Sequence, residues 1–354
     1  MKKTFYILLS TILLAGCNRG ESPVAAPEPE HMIALSAGVE SPEGTKALIN
    51  STSDLAGDGF VVWGAWQKAA GDNSQYSGDY AFGSTTRVFG QGGTKVYYPI
   101  WDYAPFRFWT RGSYYFAAAL PAKAFNAEHV KHNDNAGTAD IDGTIDMEGR
   151  LTLGEWDLKA NQIDLMVAFD NVDNTDNANT GDDKVNLRFE HQLAQIGFKA
   201  HFASDNMSTV QINSITVYGN SRTATQATFS CDGKGTDTKD DDQITANWIL
   251  GAKATSKSDN FAQATGAWST TGATLLQGLL VFPEQYTFTL VVDYTESYGG
   301  ASAAVSQSAE VSGTWEAGKS YLYEFTLSSK NIIFSEPTVT PWVSGGAADN
   351  MEPM

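Results

Sequence analysis

Residues 285–295, QYTFTLVVDYT, decide the fold class because apolar and polar side chains alternate along them. One parity of this segment carries Tyr286, Phe288, Leu290, Val292 and Tyr294. Successive side chains of a β-strand point to opposite faces, so a period of two places these five on one face. The segment is therefore predicted to be a strand with one buried face.

The alternation recurs along the chain, for example in YLYEFTL at residues 321–327, where Tyr321, Phe325 and Leu327 share one parity. Gly, Asn, Asp and Ser cluster between such runs, and no long 3.6-residue period with capping residues accompanies them. The sequence therefore predicts an all-β protein, built as two tandem β-sandwich domains.

The acidic segment DNVDNTDNANTGDD at residues 170–183 indicates where the two domains meet. It follows the strand-like run QIDLMVAF and precedes a new strand that starts at residue 184, as a flexible polar linker between domains does. We therefore predict an N-terminal sandwich over residues 32–183. A C-terminal sandwich that includes the last strand is predicted over residues 184–345, followed by a polar tail at residues 346–354.

The first residues, MKKTFYILLSTILLAGC, read as an export signal. Two lysines precede an apolar run over residues 5–14 that is too short to span a bilayer. LAGC resembles a lipobox, which predicts removal of residues 1–16 and lipidation of Cys17; the alternative is an ordinary signal peptide with a chance cysteine. Residues 17–31, rich in Pro, Ala and Glu, are predicted to be a flexible tether.

Charge and cysteine content restrict the function. The net charge of −18 becomes −20 once residues 1–16, with two lysines and no acid, are removed. Such a charge repels phosphate backbones and argues against a nucleic-acid partner. Besides Cys17 the chain has a single cysteine, Cys231, so no intramolecular disulfide is predicted.

The residues that carry chemistry form no catalytic pattern, and we predict neither an enzyme nor a cofactor. The five histidines are not grouped with a nucleophile, and His191 shares parity with apolar neighbours, which predicts a buried ring satisfied by a backbone partner. Acidic segments 140–149 and 170–183 lack EF-hand spacing, so no metal site is predicted, although calcium in these segments stays open. A carboxylate pair of a glycosidase also stays open, because its separation is three-dimensional.

Five stretches of the chain, in this order, resemble the fimbrillin family of Mfa-like lipoproteins, which are subunits of type V pili. They are VYYPIWDYAPFRFWTRGSYYFAAALP (96–121), DLMVA with LRFEHQLAQIGF (164–168 and 187–198), LLVFPEQYTFTLVVDYT (279–295), WEAGKSYLYEFTL (315–327) and PTVTPW (337–342). The resemblance implies two transthyretin-like Greek-key β-sandwiches in a lipoprotein of the outer membrane surface. It also implies other fimbrial subunits as partners, and a role in adhesion to host or bacterial surface ligands.

The family's assembly implies a specific use of both chain ends. A trypsin-like protease removes the lipidated N-terminal segment with the first strand, and the exposed groove accepts a strand from a neighbouring subunit. Here residues 32–41 are the expected first strand, and Lys46–Ala47 is the candidate scissile bond in an exposed PEGTKA loop. Family members commonly carry arginine at this point, so an unprocessed protein with an ordinary surface lysine stays open.

The final strand-like segment PTVTPW contains two prolines that shape its pairing. Pro337 and Pro341 lack N–H donors on one edge of the strand, whereas Thr338, Thr340 and Trp342 keep theirs on the other. The segment is therefore predicted to pair on one side only, as an edge strand does. Val339, Thr340 and Trp342 are the candidate donor-strand residues, and an edge strand that closes its own domain is the alternative.

Two functions therefore compete at the level of sequence. The first is a structural subunit of a surface fimbria, in a stalk, tip or anchor position. The second is a surface lipoprotein that binds glycans or host proteins without polymerising, for which Trp248 and Trp268, beside Gly- and Ser-rich stretches, are the candidate exposed aromatic residues.

Overall fold

The computed structural model describes residues 33–39, 59–71, 94–96, 107–125, 141–146, 149–158, 162–175, 184–203, 209–219, 226–232, 246–251, 260–328 and 330–342. Within these ranges the chain consists of strands, connecting turns and one short 3-10 helix, Ala122–Ala124. In chain order the strands are β1 (Ala34–Val39), β2 (Phe60–Lys68), β3 (Thr94–Val96), β4 (Gly112–Leu120), β5 (Gly143–Ile145), β6 (Arg150–Asp157), β7 (Met166–Asn174), β8 (Lys184–His191), β9 (Ala194–Phe202), β10 (Thr209–Gly219), β11 (Gln226–Asp232), β12 (Ala246–Leu250), β13 (Asn260–Trp268), β14 (Ala273–Val281), β15 (Gln285–Tyr298), β16 (Ala301–Thr314), β17 (Lys319–Leu327), β18 (Ile332–Phe334) and β19 (Thr338–Pro341).

The strands form four sheets, which confirms the predicted all-β class. Sheet A has the order β1-β8-β7-β4-β2-β3, and sheet B has the order β12-β11-β6-β5. Sheet C has the order β13-β10-β15-β16, and sheet D has the order β14-β9-β17-β18, with β19 also paired to β17. Sheets A and B share one apolar core, and sheets C and D share another. The chain therefore folds as two β-sandwiches.

Sheet A packs against sheet B through large side chains at its centre. Trp63 of β2, Leu153 of β6 and Phe229 of β11 are buried in the shared core. The indole N–H of Trp63 donates to the carbonyl of Gly143 at 2.9 Å, so the one polar atom of this ring is satisfied inside the core.

The opposite face of sheet A is also apolar, and among the described residues sheet A alone has buried clusters on both faces. A second cluster on this face includes the fully buried side chains Phe60, Tyr114, Phe116 and Phe189. Phe60 and Phe189 lie 5.3 Å apart between ring centroids. Because both faces are covered, β2 begins with the continuous apolar run FVVW instead of an alternating one.

The second sandwich confirms the alternation that was predicted for β15. Tyr286, Phe288, Leu290, Val292 and Tyr294 are all buried in the core between sheets C and D. At one end of this core the ring of Tyr286 stacks on Trp315 with centroids 3.9 Å apart. Trp315 in turn donates its indole N–H to the hydroxyl of Tyr323 at 2.9 Å. One face of sheet C therefore carries the core.

The sheets do not divide between the sandwiches at residue 184, where the boundary was predicted. β8 follows that point but pairs with β1 and β7 in sheet A. Strands β11 and β12 come later still, and β11 pairs antiparallel with β6 of sheet B. The described strands therefore pass between the sandwiches three times, because sheet B takes half of its strands from the second half of the chain.

The acidic segment 170–183 also differs from the predicted linker where the structure describes it. Its first five residues continue β7 to Asn174, and the side chains of Asp170 and Asn174 are buried. The amide of Asn174 donates to the carbonyl of Thr110 at 2.9 Å. Polar composition predicted a loop here because it does not reveal that these side chains find partners inside the sheet.

The junction between the sandwiches is packed and hydrogen-bonded. Leu193, Leu280 and Phe282 belong to the core of the first sandwich. They nevertheless lie within or next to strands of the second sandwich: Leu193 precedes β9, Leu280 is in β14 and Phe282 follows β14. The indole N–H of Trp248 donates to the carbonyl of Gln192 at 2.9 Å. The junction is therefore an extension of the first core rather than a free hinge.

Within the described ranges, no helix has the length and apolar character needed to cross a membrane.

Candidate functional site

The first strand, β1, closes one edge of sheet A and lies within the residues 32–41 that were predicted to form it. It runs parallel to β8, with Ala34 opposite Lys184 and Val39 opposite Phe189. Ile33, just before β1, donates its backbone N–H to the carbonyl of Arg107 at 2.8 Å. The chain is thus held at this edge by backbone pairing on β8 and by an anchor at Ile33.

Two side chains of this N-terminal segment complete the second apolar cluster of sheet A. Ile33 is fully buried and Leu35 is 7% exposed, and both contact the cluster around Phe60, Tyr114 and Phe189. Burying a large aliphatic side chain contributes about 1.5–3 kcal/mol relative to leaving it in water. Without this segment, the cluster would lose Ile33 and Leu35 and β8 would lose its parallel backbone partner, which together would leave an apolar groove beside β8.

β8 itself is held to the rest of sheet A by few backbone pairs. Its ladder with β7 covers Met166 opposite His191 and Val167 opposite Glu190. Further along, the Oδ2 atom of Asp170 accepts the backbone N–H of Asn186 at 2.7 Å. Burial raises the pKa of the Asp170 carboxyl to about 6, although hydrogen bonds from the backbone of Asn186 and Asn171 oppose that rise.

The last strand, β19, lies on the edge of sheet D, antiparallel to β17 of the same chain. The pairs run from Lys319 opposite Pro341 to Leu322 opposite Thr338. The backbone N–H of Trp342 donates to the carbonyl of Gly318 at 2.7 Å. Because alternate residues share an edge, Thr338 and Thr340 also direct their N–H groups to β17.

The two prolines therefore lie on the outer edge of β19, where the described chain supplies no further strand. This is the pairing expected of an edge strand that closes its own sandwich. The alternative use of the same segment, as a donor to another subunit, would require β19 to leave β17.

An aromatic contact holds the end of β19 against the junction of the sandwiches. The ring of Trp342 stacks on His191 with centroids 4.1 Å apart and an angle of 13° between the planes. His191 Nδ1 lies 2.7 Å from Asp164 Oδ2. Gly318, which accepts from Trp342, donates its own N–H to the carbonyl of Leu193 at 2.9 Å. The C-terminal end of β19 is thus held by the ring of His191 and by the carbonyl of Gly318, and Gly318 is itself held by the carbonyl of Leu193.

The sequence predicted a buried His191 with a backbone partner; the residue is 9% exposed, and its Nδ1 atom is paired with the Asp164 side chain instead. The sequence did not connect His191 with Asp164 or Trp342, since nothing in one dimension indicates contacts across 27 and 151 positions. The signal that could have been used is the period of two: Asp164 shares parity with Met166 and Ala168 of β7, which is adjacent to β8.

Several predicted residues fall outside the described ranges: Cys17, Lys46 and Ala47, with the tether and the polar tail. Trp248 and Trp268, the candidate exposed aromatic residues, are half-buried, and Trp248 packs between Phe229 and Phe282. Cys231 is buried in the first core. In the part of the chain that the structure describes, no group of three or more His, Cys, Asp or Glu side chains is arranged to hold a metal ion.

These features define a class of protein: an all-β chain of two sandwiches, with an N-terminal strand that completes an apolar groove and a C-terminal strand at an edge. The sequence pattern of the fimbrillin-like family matches residues 45–342, and the chain belongs to that family. The pattern of the prokaryotic membrane lipoprotein lipid-attachment site matches residues 1–18. The chain is therefore a membrane-anchored surface lipoprotein of the fimbrillin-like family.

Solved structures of similar chains come from Bacteroides species. A candidate cell adhesion protein from Bacteroides uniformis has a TM-score of 0.42 and 16% identity, with 88% of this chain and 99% of that one covered. A candidate cell adhesion protein from Bacteroides ovatus has a TM-score of 0.41 and 9% identity, covering 89% and 98%. A candidate adhesin from Bacteroides thetaiotaomicron has a TM-score of 0.34 and 10% identity, covering 90% and 98%. A comparison with proteins of curated function gave no match.

Proposed function

We propose that this protein is a structural subunit of a cell-surface fimbria that supports adhesion. It is exported as a lipoprotein through Cys17 and assembled by protease-dependent strand exchange with other fimbrial subunits. The observation that carries the proposal is the position of β1 between the lipid-attachment region and the candidate scissile bond Lys46–Ala47. One cut there would separate the anchor and β1 from the remainder of the chain.

The apolar character of the surface under β1 supports strand exchange. A groove that exposes Phe60, Phe189 and their neighbours would be unstable in water, so it favours rapid occupation by another strand. Once β1 is removed, the backbone edge of β8 offers hydrogen bonds to such a strand over residues 184–189, which is strand addition to a sheet edge.

The C-terminal segment with Val339, Thr340 and Trp342 is the proposed donor. It is four residues long as a strand, its four side chains are exposed, and it can pair on one edge without loss of any N–H donor. Its release from β17 gives up few buried contacts, apart from the Trp342 ring on His191. This modest attachment favours exchange between copies.

The experiment compares the native chain with Lys46→Gln on cells that carry a trypsin-like surface protease. The native chain should yield oligomers that resist detergent, and its surface form should begin at Ala47. Lys46→Gln should remain lipidated and monomeric. The same oligomers from Lys46→Gln, or a surface form of the native chain that keeps Cys17, would exclude assembly by this cut.

Truncation after Ser335 tests the donor separately. We expect a folded, cut monomer without filaments, because the groove is open but no donor remains. Filaments of normal length from the truncated chain would exclude the C-terminal segment as donor.

A second candidate function is a surface lipoprotein that binds glycans or host proteins without polymerising. The pairing of β19 with β17 of its own chain favours this function, because a strand that is paired within its own chain is not available to another subunit. An uncut N-terminus on cells that nevertheless bind a glycan array would favour this function, whereas an array without hits would weigh against it.

A further inference from the structure

The outer edge of β16 is the longest open strand edge in the part of the chain that the structure describes. β16 is 14 residues long and pairs with β15 in a single register from Tyr298 opposite Ala301 to Gln285 opposite Thr314. No described strand pairs with its other edge. Every residue of β16 is exposed or half-buried, so the edge is accessible along its length.

The backbone groups that face this edge follow from the register. Trp315 donates its N–H to the carbonyl of Glu284 at 2.9 Å, one step beyond the β15–β16 ladder. Alternate residues of an antiparallel strand bond to the same neighbour, so the odd-numbered residues of β16 bond to β15. The even-numbered residues direct their N–H and C=O groups to the open edge. They include Ser302, Ala304, Ser306, Ser308 and Ser312.

This edge lacks the devices by which natural sheets avoid edge-to-edge pairing, such as proline, lysine, a bulge or a short strand. β16 contains no proline, lysine or arginine, and its register has no shift. Six of the other described edge strands carry such a device. Strands β13 and β14 have register shifts, β19 is bordered by Pro337 and ends in Pro341, and β3, β5 and β18 have three residues each. The two remaining edge strands, β1 and β12, have six and five residues, which is less than half the length of β16.

We propose that β16 pairs antiparallel with β16 of a second copy of this chain, so that two copies of sheet C form one continuous eight-stranded sheet. The low charge of β16 favours a second copy of this chain as the partner at this edge. β16 carries a single charged residue, Glu310, so a partner recognised by opposite charge would find almost none here. Two copies that pair about Gln307 place Glu310 opposite the partner's Ala304 and keep the two Glu310 carboxylates about 20 Å apart along the strands.

The side chains of β16 also leave room for a second strand to approach this edge. The outer-face positions of β16 are occupied mostly by Ser and Ala, which do not obstruct a neighbouring strand. A two-fold axis at this edge makes the interface self-complementary and closed, so it gives a dimer rather than a chain of copies. It uses neither β1 nor β19, and it therefore does not depend on the proposed strand exchange.

The test is sedimentation velocity over a concentration series with the uncut chain from residue 17 carrying Cys17→Ser, at low and high salt. We expect a dimer that high salt strengthens, because the two copies carry like net charge. Ser308→Pro removes an N–H that faces the open edge and leaves the β15 ladder intact. It should raise the dimer dissociation constant by at least about tenfold.

Matched variants separate edge pairing from other effects. Ser308→Lys should also weaken the dimer, whereas Ser308→Ala, which keeps the N–H, and Gln263→Lys on β13 should not. Circular dichroism checks that each variant is folded. A native chain that is monomeric throughout the series, including one that binds a different protein instead, overturns the proposal. Native-like dimers of both Ser308→Pro and Ser308→Lys overturn it as well.

Discussion

The two sandwiches differ in how their sheets are completed. Sheet A of the first sandwich is apolar on both faces, and Ile33 with Leu35 of β1 completes the cluster on one of them. In the second sandwich the described apolar core lies between sheets C and D, and all its strands follow residue 193, although β11 and β12 of sheet B interrupt them in sequence. The first sandwich is thus incomplete without a strand that precedes it in sequence, and the second is complete by itself.

This contrast teaches where exchange of strands is physically reasonable. A strand can be replaced when it is short, lies at an edge, and covers an apolar surface that another strand can cover equally well. β1 satisfies all three conditions at 6 residues. β15, with 14 residues in the middle of sheet C and two neighbours, satisfies none.

The largest expected effect comes from a charge placed on the buried face of β1. Leu35→Asp would bury an unpaired carboxylate in the second cluster of sheet A, and it should lower the free energy of unfolding of the first sandwich by more than about 3 kcal/mol. Urea denaturation followed by tryptophan fluorescence would measure it. Gln263→Asp, at an exposed position of β13 away from both β1 and the edge of β16, is the control and should change stability by less than about 0.5 kcal/mol. Equal effects of the two substitutions would contradict the contrast.

A smaller effect, dependent on pH, is expected at Asp170. Its folded-state pKa of about 6 lies above the ordinary value of 3.8, so the native state holds the proton more tightly than the unfolded state. This group's contribution to stability is therefore present below pH 3.8 and is lost as pH rises to about 6. Asp170→Asn removes the buried charge and should stabilise the first sandwich by about 1–3 kcal/mol above pH 6.

The measurement is a pair of urea titrations at pH 4 and pH 7.5, and the informative quantity is the difference between variant and native chain. The gain from Asp170→Asn should shrink at the lower pH. Asp173→Asn, at an exposed position of the same strand, is the control. A gain of the same size at both pH values would show that the carboxyl does not titrate as proposed.

Loss of the Trp342 ring should loosen the end of β19 without unfolding either sandwich. Trp342→Ala removes the stack on His191, and we expect a local loss of about 1–2 kcal/mol. Exchange of the Thr338 and Thr340 amides should then accelerate by roughly 5- to 30-fold. Val339→Ala, at a side chain that is 49% exposed, is the matched control. Unchanged exchange in Trp342→Ala would mean that the backbone ladder alone holds β19.

The smallest effect on stability is expected from the prolines of the outer edge. Pro337→Ala with Pro341→Ala restores two N–H donors that face away from β17, and stability should change by less than about 0.5 kcal/mol. Association should nevertheless rise, because the edge then resembles that of β16. Light scattering at increasing concentration would detect it. If the double variant does not associate, the prolines do not protect this edge.

Much of the fold follows from local patterns. The alternation in β15 and β17 predicted buried faces that the structure confirms, because the period of two is set by the backbone of each strand alone. The one-sided pairing of β19 was equally predictable from its prolines, since a missing N–H is a property of the residue itself. The lipid-attachment region was readable for the same reason.

What could not be predicted depends on contacts between distant residues. The pairing of β6 with β11 and of β1 with β8 places half of sheet B in the second half of the chain and brings β8 into sheet A. Composition therefore misplaced the boundary. Asp170 looked like the start of a linker, and only the neighbouring backbone of Asn186 explains why a carboxylate is buried there. The contact of His191 with Trp342 could not be predicted either, because it joins two residues that are distant in sequence.

The return of β11 and β12 to the first sandwich has a consequence for the order in which the protein folds. Ser36 and Asn186, which are in contact in the sheet, are 150 positions apart, and sheet B is completed only when residues 246–250 are available. An N-terminal half that emerges first from export therefore lacks β11 and β12, which are half of its second sheet. We expect the two sandwiches to fold as one late cooperative event, because neither the first core nor the junction can form before most of the chain has crossed the membrane.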